Sequence, residues 1–331
     1  MDINTRVETF VQLGKRINNI TQDEIAEFSL RAKNENGWFT SDSVKHAFDG
    51  LAYILTQDKL NKWVNGYNLE PEVPKIVGII MAGNIPMVGF HDLLSVLISG
   101  HFAAIKTSSQ DSFLIKLLVS WIIEIEPAFK KNISIRERLT EIDAVIATGS
   151  DNTTRYFEYY FKQIPNLIRK NRTSVAILDG NETSDDLWAL SRDIFWYYGL
   201  GCRNVSKVFI PHDYDPKHLL NHFNKFEYVS NNHKYQNNYE YYKSIYLINK
   251  TPHLDTGFLL WVETTELVSP LAVLYAEVYK GQQDLTIKLD QNEEKIQCIV
   301  GKSHVPFGKA QLPELNDYAD NVDTLSFLSM I

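Results

Sequence analysis

The sequence has few cysteines and no excess of basic residues, and each shortage excludes a class of protein. Its 331 residues include two cysteines, Cys202 and Cys298, too few for the disulfide framework of a small secreted domain. The formal net charge of -8 argues against a nucleic-acid binder, because neutralising phosphates needs a basic face. No apolar stretch is long enough to span a bilayer, and the first residues lack the apolar segment of a signal peptide. We therefore expect a cytoplasmic protein that neither binds nucleic acid nor inserts into a membrane.

Three familiar ligand-binding motifs are also missing. The glycine pattern G-x-G-x-x-G is absent, which argues against a standard Rossmann dinucleotide site. No G-x-x-x-x-G-K-[ST] phosphate loop is present, and the nine histidines are scattered without metal-ligand spacing. The sequence therefore predicts no metal site.

The order of apolar patterns predicts how the chain is organised. Residues 1–70 carry helical periodicity, and Pro71 and Pro74 end this segment. Beyond them, predicted strands at 76–81, 102–106, 144–148, 175–178 and 205–210 alternate with predicted helices at 86–98, 112–124, 153–161 and 185–198. Short strands that are apolar on both faces belong in a parallel sheet covered by helices. We therefore predict an α/β protein with a doubly wound parallel sheet.

The loops at the carboxyl ends of these strands are the expected ligand site, because helix N-termini point their N–H groups outward there. Asn84 follows the first strand, where it is either an amide donor to a developing oxyanion or an ordinary turn residue. Lys106 is followed by Ser108 and Ser109, a cation beside hydroxyls that suits the ribose and phosphate of a nucleotide. The third loop is a tight turn, Gly149-Ser150.

Cys202 lies in a loop of small residues between a predicted helix and a predicted strand. Gly199 and Gly201 leave its sulfur open, and the cation of Arg203 favours thiolate over thiol. A lone cysteine is also commonly a small buried hydrophobe, so from this loop alone both interpretations stand. Cys298 lies in a short apolar run and is predicted to belong to the core.

Taken in order, these loops resemble those of the aldehyde dehydrogenase superfamily. Within it, the chain is most similar to the acyl-CoA reductase family that includes the fatty-acid reductase of bacterial luminescence. The segments that carry the likeness are Met81-Ala82-Gly83-Asn84-Ile85-Pro86, Lys106-Thr107-Ser108-Ser109, Thr148-Gly149-Ser150, Gly199-Leu200-Gly201-Cys202, Glu266-Leu267-Val268-Ser269-Pro270, Val305-Pro306-Phe307-Gly308-Lys309-Ala310-Gln311 and Asp317-Tyr318-Ala319-Asp320. Helical periodicity gives the N-terminal segment (1–70), and the resemblance, which runs from about Ile76 onward, implies three further regions. These are a dinucleotide-binding domain (71–190), a smaller α/β catalytic thiol domain (191–305) and a C-terminal segment that returns to the core (306–331).

The resemblance also implies a role for each matching residue. Cys202 would be the nucleophile that forms a thioester with the acyl group. Asn84 and the backbone N–H of Cys202 would form the oxyanion hole. Lys106 would hold the adenosine ribose, Gly149 and Ser150 would lie against the dinucleotide, and Glu266 would hold the nicotinamide ribose.

One departure from the superfamily pattern bears on the reaction. Hydrolytic aldehyde dehydrogenases have a glutamate before the fourth strand that activates water, whereas residues 168–174 here contain no carboxylate. Losing a general base slows attack by water by about two to four powers of ten. This absence favours reduction of an acyl-CoA over oxidation of an aldehyde to an acid. Arg169, Lys170 and Arg172 in this run either serve phosphates of CoA or the cofactor, or form a solvated turn.

Cofactor and substrate follow from the same resemblance. NAD-preferring relatives tend to have a carboxylate where this chain has Ser109, so we predict NADPH as the reductant. The expected partner is a small acyl-CoA or acyl-carrier thioester, and homo-oligomerisation is left open. Two other functions stay open: an aldehyde-oxidising enzyme with a relocated base, and a non-catalytic protein that binds acyl groups or a partner.

Overall fold

The computed structural model describes residues 1–149 and 151–331. Its helices are α1 (Ile3–Asn18), α2 (Gln22–Glu35), α3 (Ser41–Ile54), α4 (Gln57–Val64), α5 (Phe90–Ile98), α6 (Ser112–Ile125), α7 (Asp151–Phe161), α8 (Ser184–Phe195), α9 (Lys217–Leu220), α10 (His233–Asn249), α11 (Gly281–Asp290) and α12 (Thr324–Ser329). Its strands are β1 (Ile76–Ile80), β2 (Phe102–Lys106), β3 (Ile133–Ile135), β4 (Ala144–Thr148), β5 (Asn166–Arg169), β6 (Thr173–Ile177), β7 (Val205–Pro211), β8 (Leu254–Asp255), β9 (Leu260–Glu263), β10 (Val273–Tyr279) and β11 (Ile296–Val300).

The described chain forms two compact units. The first unit contains Met1–Asn171 and Pro313–Ile331, and the second unit contains Arg172–Leu312. The boundary lies before β6, which pairs with β7 and β11. The resemblance assigned residues 172–190 to the dinucleotide-binding domain. In the structure they belong to the second unit, which also contains Cys202. How the functions are divided among these regions stays a prediction.

Four helices open the first unit, as the periodicity of residues 1–70 predicts. The starts of α1 and α2 are capped locally: Asp2 accepts from Thr5 N at 2.8 Å, and Thr21 and Glu24 form a capping box. The apolar face of α1 is buried against α3, and the two approach closely at Gly14. A Cβ there would lie 2.4 Å from Leu55 O, so only glycine fits.

The sheet of the first unit has the order β3-β2-β1-β4-β5, and all its strands are parallel. The order reverses direction at β1, whose neighbours are β2 and β4. Ligands bind in such sheets outside the carboxyl ends of the strands at this switch point. The prediction of a doubly wound parallel sheet is confirmed. β3 and β5 were missed, because each is only three or four residues long.

Two predicted helix boundaries are wrong for the same physical reason. We expected Pro86 to start a helix, but α5 begins at Phe90 because Met87 has a left-handed φ of 58°. We expected α8 to continue to Tyr198, but it ends at Phe195. Tyr197 and Tyr198 follow with φ values of 53° and 58°. Left-handed residues cannot continue a right-handed helix.

The second unit is built on a six-stranded sheet of order β11-β6-β7-β10-β9-β8, in which only the β8–β9 pair is antiparallel. The stretch of residues 231–246, which is rich in Asn and Tyr, forms most of α10. Of the α10 residues, only Tyr235 and Tyr239 are buried.

Arg169 anchors the C-terminal segment of the first unit. Its guanidinium is 2% exposed and contacts Asp92 at 2.5 Å, Ala319 O at 2.7 Å and Thr324 Oγ1 at 3.0 Å. This contradicts both interpretations of Arg169 offered above, since a buried side chain whose two terminal nitrogens are bonded to Asp92, Ala319 O and Thr324 is neither part of a solvated turn nor available to phosphate. Lys170 is exposed, and Arg172 donates to Ile296 O at 3.2 Å within the second unit.

We expect Arg169→Met to lower the free energy of unfolding by about 3–5 kcal/mol, because it leaves Asp92 buried without its cation. Lys170→Met removes only an exposed contact with Glu158, 4.0 Å away, and should cost less than about 1 kcal/mol. Denaturant unfolding of both variants measures the difference. The double variant Arg169→Met/Asp92→Leu should recover part of the loss, and equal stability of the two single variants would contradict the anchoring role.

Candidate active site

A strained turn presents Cys202. Between α8 and β7 the chain passes through Tyr197 and Tyr198, both left-handed, and then through the cysteine loop, defined as residues 199–204. Each left-handed non-glycine residue costs about 1–3 kcal/mol, and such strain clusters at functional sites. Cys202 is partly exposed. It is therefore not the fully enclosed hydrophobe of the alternative interpretation.

The side chain of Asn204 holds the cysteine loop in shape. Its Oδ1 accepts from Gly201 N at 2.8 Å, and its Nδ2 donates to Trp196 O at 2.7 Å and to Asp193 O at 3.1 Å. Asn204 is 2% exposed, so these bonds are formed away from water. One carboxamide thus closes the end of α8 and fixes the residue before Cys202. The sequence alone did not indicate this role, because Asn204 belongs to no recognised motif.

Ser174 fixes the other side of Cys202. This fully buried serine donates from Oγ to Cys202 O at 3.0 Å and accepts from Cys298 N at 3.2 Å. Its Oγ also lies 3.1 Å from Cys298 Sγ. The prediction that Cys298 belongs to the core is wrong, because β11 is an edge strand and leaves this thiol partly exposed.

A buried carboxylate anchors the Pro306-Phe307-Gly308 turn. Asp193 is fully buried and accepts from Gly308 N at 2.6 Å and from Ala310 N at 3.0 Å. Burial raises the pKa of Asp193 to about 7, although the two N–H donors lower it. The Nε of Arg203 donates to Ala310 O, so a side chain of the cysteine loop binds the backbone just after this turn.

Lys207 organises the segment that carries Glu266. Its ammonium is 1% exposed and donates to Thr264 O at 3.2 Å, Thr265 O at 3.0 Å and Glu266 O at 3.0 Å, while also pairing with Glu277. Burial lowers the pKa of Lys207, and Glu277 opposes this effect. The Glu266 side chain itself is exposed. Since Lys207 follows the cysteine loop by three residues, Cys202 and Glu266 lie on neighbouring segments of the second unit.

Of the predicted cofactor residues of the first unit, Lys106, Ser108 and Ser109 lie at or just after the carboxyl end of β2, and Gly149 follows β4. Lys106 ends β2 and is exposed, as is Ser109. Ser108 packs against the neighbouring loop instead: a Cβ on Gly83 would lie 2.5 Å from Ser108 Oγ. Gly149 is enclosed by α7, and a Cβ there would meet Phe157 at 2.9 Å. Ser150 lies outside the described residues.

Asp111 ties the Asn84 loop, defined as residues 83–87, to the start of α6. Its Oδ2 accepts from Met87 N at 2.6 Å, and the side chain is 1% exposed. The Asn84 side chain is partly exposed between Gly83 and Met87. Burial raises the pKa of Asp111 to about 8; the Met87 N–H lowers it, and the Glu35 carboxylate adds to the rise.

The described residues contain neither a cluster of metal ligands nor a helix that could span a membrane. Among residues 1–149 and 151–331, no group of three or more His, Cys, Asp or Glu side chains is placed to hold a metal ion. None of the helices in this part of the chain is both long and apolar enough to cross a membrane.

Comparison with solved structures defines the class of fold. The chain is similar to a betaine aldehyde dehydrogenase from Staphylococcus aureus, with a TM-score of 0.66 at 12% identity, over 94% of this chain and 73% of that one. It is also similar to an aldehyde dehydrogenase from Physcomitrella patens solved with succinate (TM-score 0.64, 12% identity, 91% and 74%). A third similar structure is the NAD+ complex of an aldehyde dehydrogenase from Bacillus cereus (TM-score 0.61, 14% identity, 91% and 72%). The fold is that of the aldehyde dehydrogenases.

A family model narrows this class. Residues 42–221 match the model described as Acyl-CoA reductase (LuxC). Because the match spans more than half of the chain, the protein belongs to this acyl-CoA reductase family of oxidoreductases, and the resemblance found in the sequence is confirmed. No curated protein sequence matches the chain.

The buried carboxyl of Asp111 predicts a pH dependence of stability. Between about pH 4 and pH 8 the folded protein retains a proton that the unfolded chain has released, because the pKa of the Asp111 carboxyl rises from its ordinary value of 3.8 to about 8 on folding. Stability attributable to this group therefore falls as pH rises through that window, by up to about 1.4 kcal/mol per pH unit.

We expect Asp111→Asn to remove this slope, since the amide keeps an oxygen for Met87 N–H but does not titrate. Urea unfolding at pH 5, 6, 7 and 8 should show the variant gaining stability relative to the unmodified protein as pH rises. Asp23→Asn, at an exposed position in α2, is the control and should show a constant difference. A constant difference for Asp111→Asn as well would disprove the buried acid.

Proposed function

We propose that this protein reduces an acyl-CoA, or a related acyl thioester, to an aldehyde with NADPH, through a thioester on Cys202. The observation that carries the proposal is the cysteine loop: a partly exposed thiol, held on both sides by Asn204 and Ser174, in a member of the acyl-CoA reductase family. A loop fixed in this way keeps the sulfur in one place through the two halves of the reaction.

The proposed reaction has two steps, transfer of the acyl group to Cys202 and its reduction there. Its thiolate attacks the acyl carbonyl carbon, a C–S bond forms, and the CoA thiolate leaves. A bound nicotinamide cofactor supplies the hydride that reduces the enzyme-bound acyl group. The Cys202 C–S bond then breaks, which releases the aldehyde and regenerates the thiolate. The resemblance gives Asn84 the task of donating to the acyl oxygen while negative charge builds on it.

The first unit has residues that fit a nicotinamide dinucleotide. Its sheet has the strand order of a dinucleotide-binding fold, and Lys106 is exposed at the carboxyl end of β2. No carboxylate among the described residues pairs with Lys106, so its charge is available to a ligand. Glycines at 83 and 149 allow the loops after β1 and β4 to pack tightly. Lys106 and Ser109 would hold the adenosine ribose and its 2′-phosphate.

The environment of Arg169 supports reduction over oxidation. Residues 168–174, which lack the hydrolytic glutamate, begin at the end of β5. There the Arg169 side chain is bonded to Asp92, Ala319 O and Thr324. A guanidinium does not take a proton from water. This part of the chain therefore supplies no general base for hydrolysis, and a thioester on Cys202 has time to accept hydride.

We expect Cys202 to be acylated by acyl-CoA in the absence of NADPH, and intact-protein mass spectrometry over a panel of chain lengths measures this. Cys202→Ser should show no stable mass increase and no aldehyde formation, because a hydroxyl is a weaker nucleophile and a poorer leaving group. Cys298→Ser is the matched control: it keeps a partner for Ser174 and should acylate and turn over normally. Rapid spontaneous deacylation would favour the aldehyde-oxidising function, and absence of acylation would favour a non-catalytic one.

Ser109→Glu tests the choice of cofactor. A carboxylate at this exposed position repels a 2′-phosphate, so the Kd for NADPH should rise about tenfold or more, equivalent to about 1.4 kcal/mol, while the Kd for NADH changes little. Fluorescence titration measures both constants. Gln110→Glu adds the same charge one residue further along the exposed loop and should change the two constants equally. A proportional rise in both constants for Ser109→Glu would contradict the assignment.

A further inference from the structure

The end of α2 contacts the loops that carry the proposed first-unit site residues. We infer that Asn36, assisted by Glu35, is a positioning residue that holds the Asn84 loop, so the N-terminal helical segment is part of the active-site framework. The inference deepens the proposed function and rests on it for its catalytic consequence. Both residues lie outside the matched range 42–221.

The contacts of Asn36 leave it one conformation. It is 4% exposed; its Nδ2 donates to Gly83 O at 2.9 Å, and its Oδ1 accepts from Trp38 N at 3.1 Å. Its backbone N–H donates to Ala32 O, and its backbone carbonyl accepts from Phe39 N. Because the bond to Gly83 O is buried, rotating the carboxamide would leave that carbonyl without a hydrogen-bond partner away from water, which is unfavourable.

Glu35 binds the first residues of α6. Its Oε2 accepts from Ser112 N at 2.7 Å and from Phe113 N at 2.9 Å, which closes the N-terminus of α6. The residue before this terminus is Asp111, which holds Met87 N. Two successive residues at the end of α2 therefore hold both ends of the Asn84 loop, Gly83 directly and Met87 through α6.

The Asn84 loop has little room to shift by another route. Gly83 already lies against Ser108, and Met87 is held in a left-handed conformation. Gly83 O belongs to the peptide group whose nitrogen is that of Asn84. A rotation of this peptide plane therefore moves Asn84 itself, and a misplacement of about 1 Å costs on the order of 100-fold in rate.

Asn36→Asp is the sharpest test, since it keeps the size and the acceptor for Trp38 N–H but removes the donor to Gly83 O. We expect hydrogen exchange of a peptide spanning residues 83–90 to accelerate about tenfold or more. The kcat should fall about 10- to 100-fold with KM for acyl-CoA within about twofold, because a misplaced Asn84 would lose a contact made mainly in the transition state. Asn19→Asp is the matched control: this exposed amide, just after the end of α1, donates to Lys15 O of the same helix.

The outcomes separate the inference from the proposed function. Unchanged exchange in Asn36→Asp would overturn the positioning role. Accelerated exchange in a protein whose Cys202 is never acylated would uphold the positioning role and reject the proposed reaction. If Asn36→Asp fails to fold, Glu35→Ala at its exposed position replaces it. Faster exchange at residues 83–90 and 111–113 with a lower kcat would support the inference, and no change in either would overturn it.

Discussion

The carboxamide of Asn204 is the contact on which the geometry of Cys202 depends. It pairs with the carbonyls at the end of α8 and with the N–H of Gly201, and it does so while buried. The strained residues Tyr197 and Tyr198 turn the chain at this point, and their cost persists only because the surrounding bonds leave no alternative. Without those bonds the cysteine would sit on an ordinary surface loop with no fixed direction for its sulfur.

Buried polar side chains bind backbone groups repeatedly in this protein. Asp193 holds the turn at Gly308, Lys207 holds three successive carbonyls beside Glu266, and Asn36 holds the carbonyl before Asn84. Each group pairs with main-chain atoms that would otherwise lose water without compensation. The buried polar residues thus shape loops, whereas the apolar core supports the sheets. The residues proposed for chemistry, Cys202, Asn84 and Glu266, stand beside these anchors.

The sequence by itself determined the α/β class, the doubly wound parallel sheet, the helical N-terminal segment and the family. These depend on local apolar patterns and on motifs read in order, because short continuous apolar runs are typical of parallel strands buried on both faces. It also placed Lys106 and Gly149 correctly at strand ends, because a residue's position relative to its own strand is a local property. The assignments of chemical roles rest on the resemblance and stay predictions.

Only the tertiary structure decided which polar residues hold those loops. Asn36 and Gly83 are 47 residues apart in the chain, and Ser174 and Cys298 are 124 apart, so no local pattern relates them. The same holds for Arg169, which looked like part of a basic turn until its contacts with Asp92 and Thr324 were seen. Whether a charged side chain is solvated or buried depends on the elements that surround it. Those surroundings depend on how segments far apart in the chain pack together, and local sequence patterns do not reveal this packing.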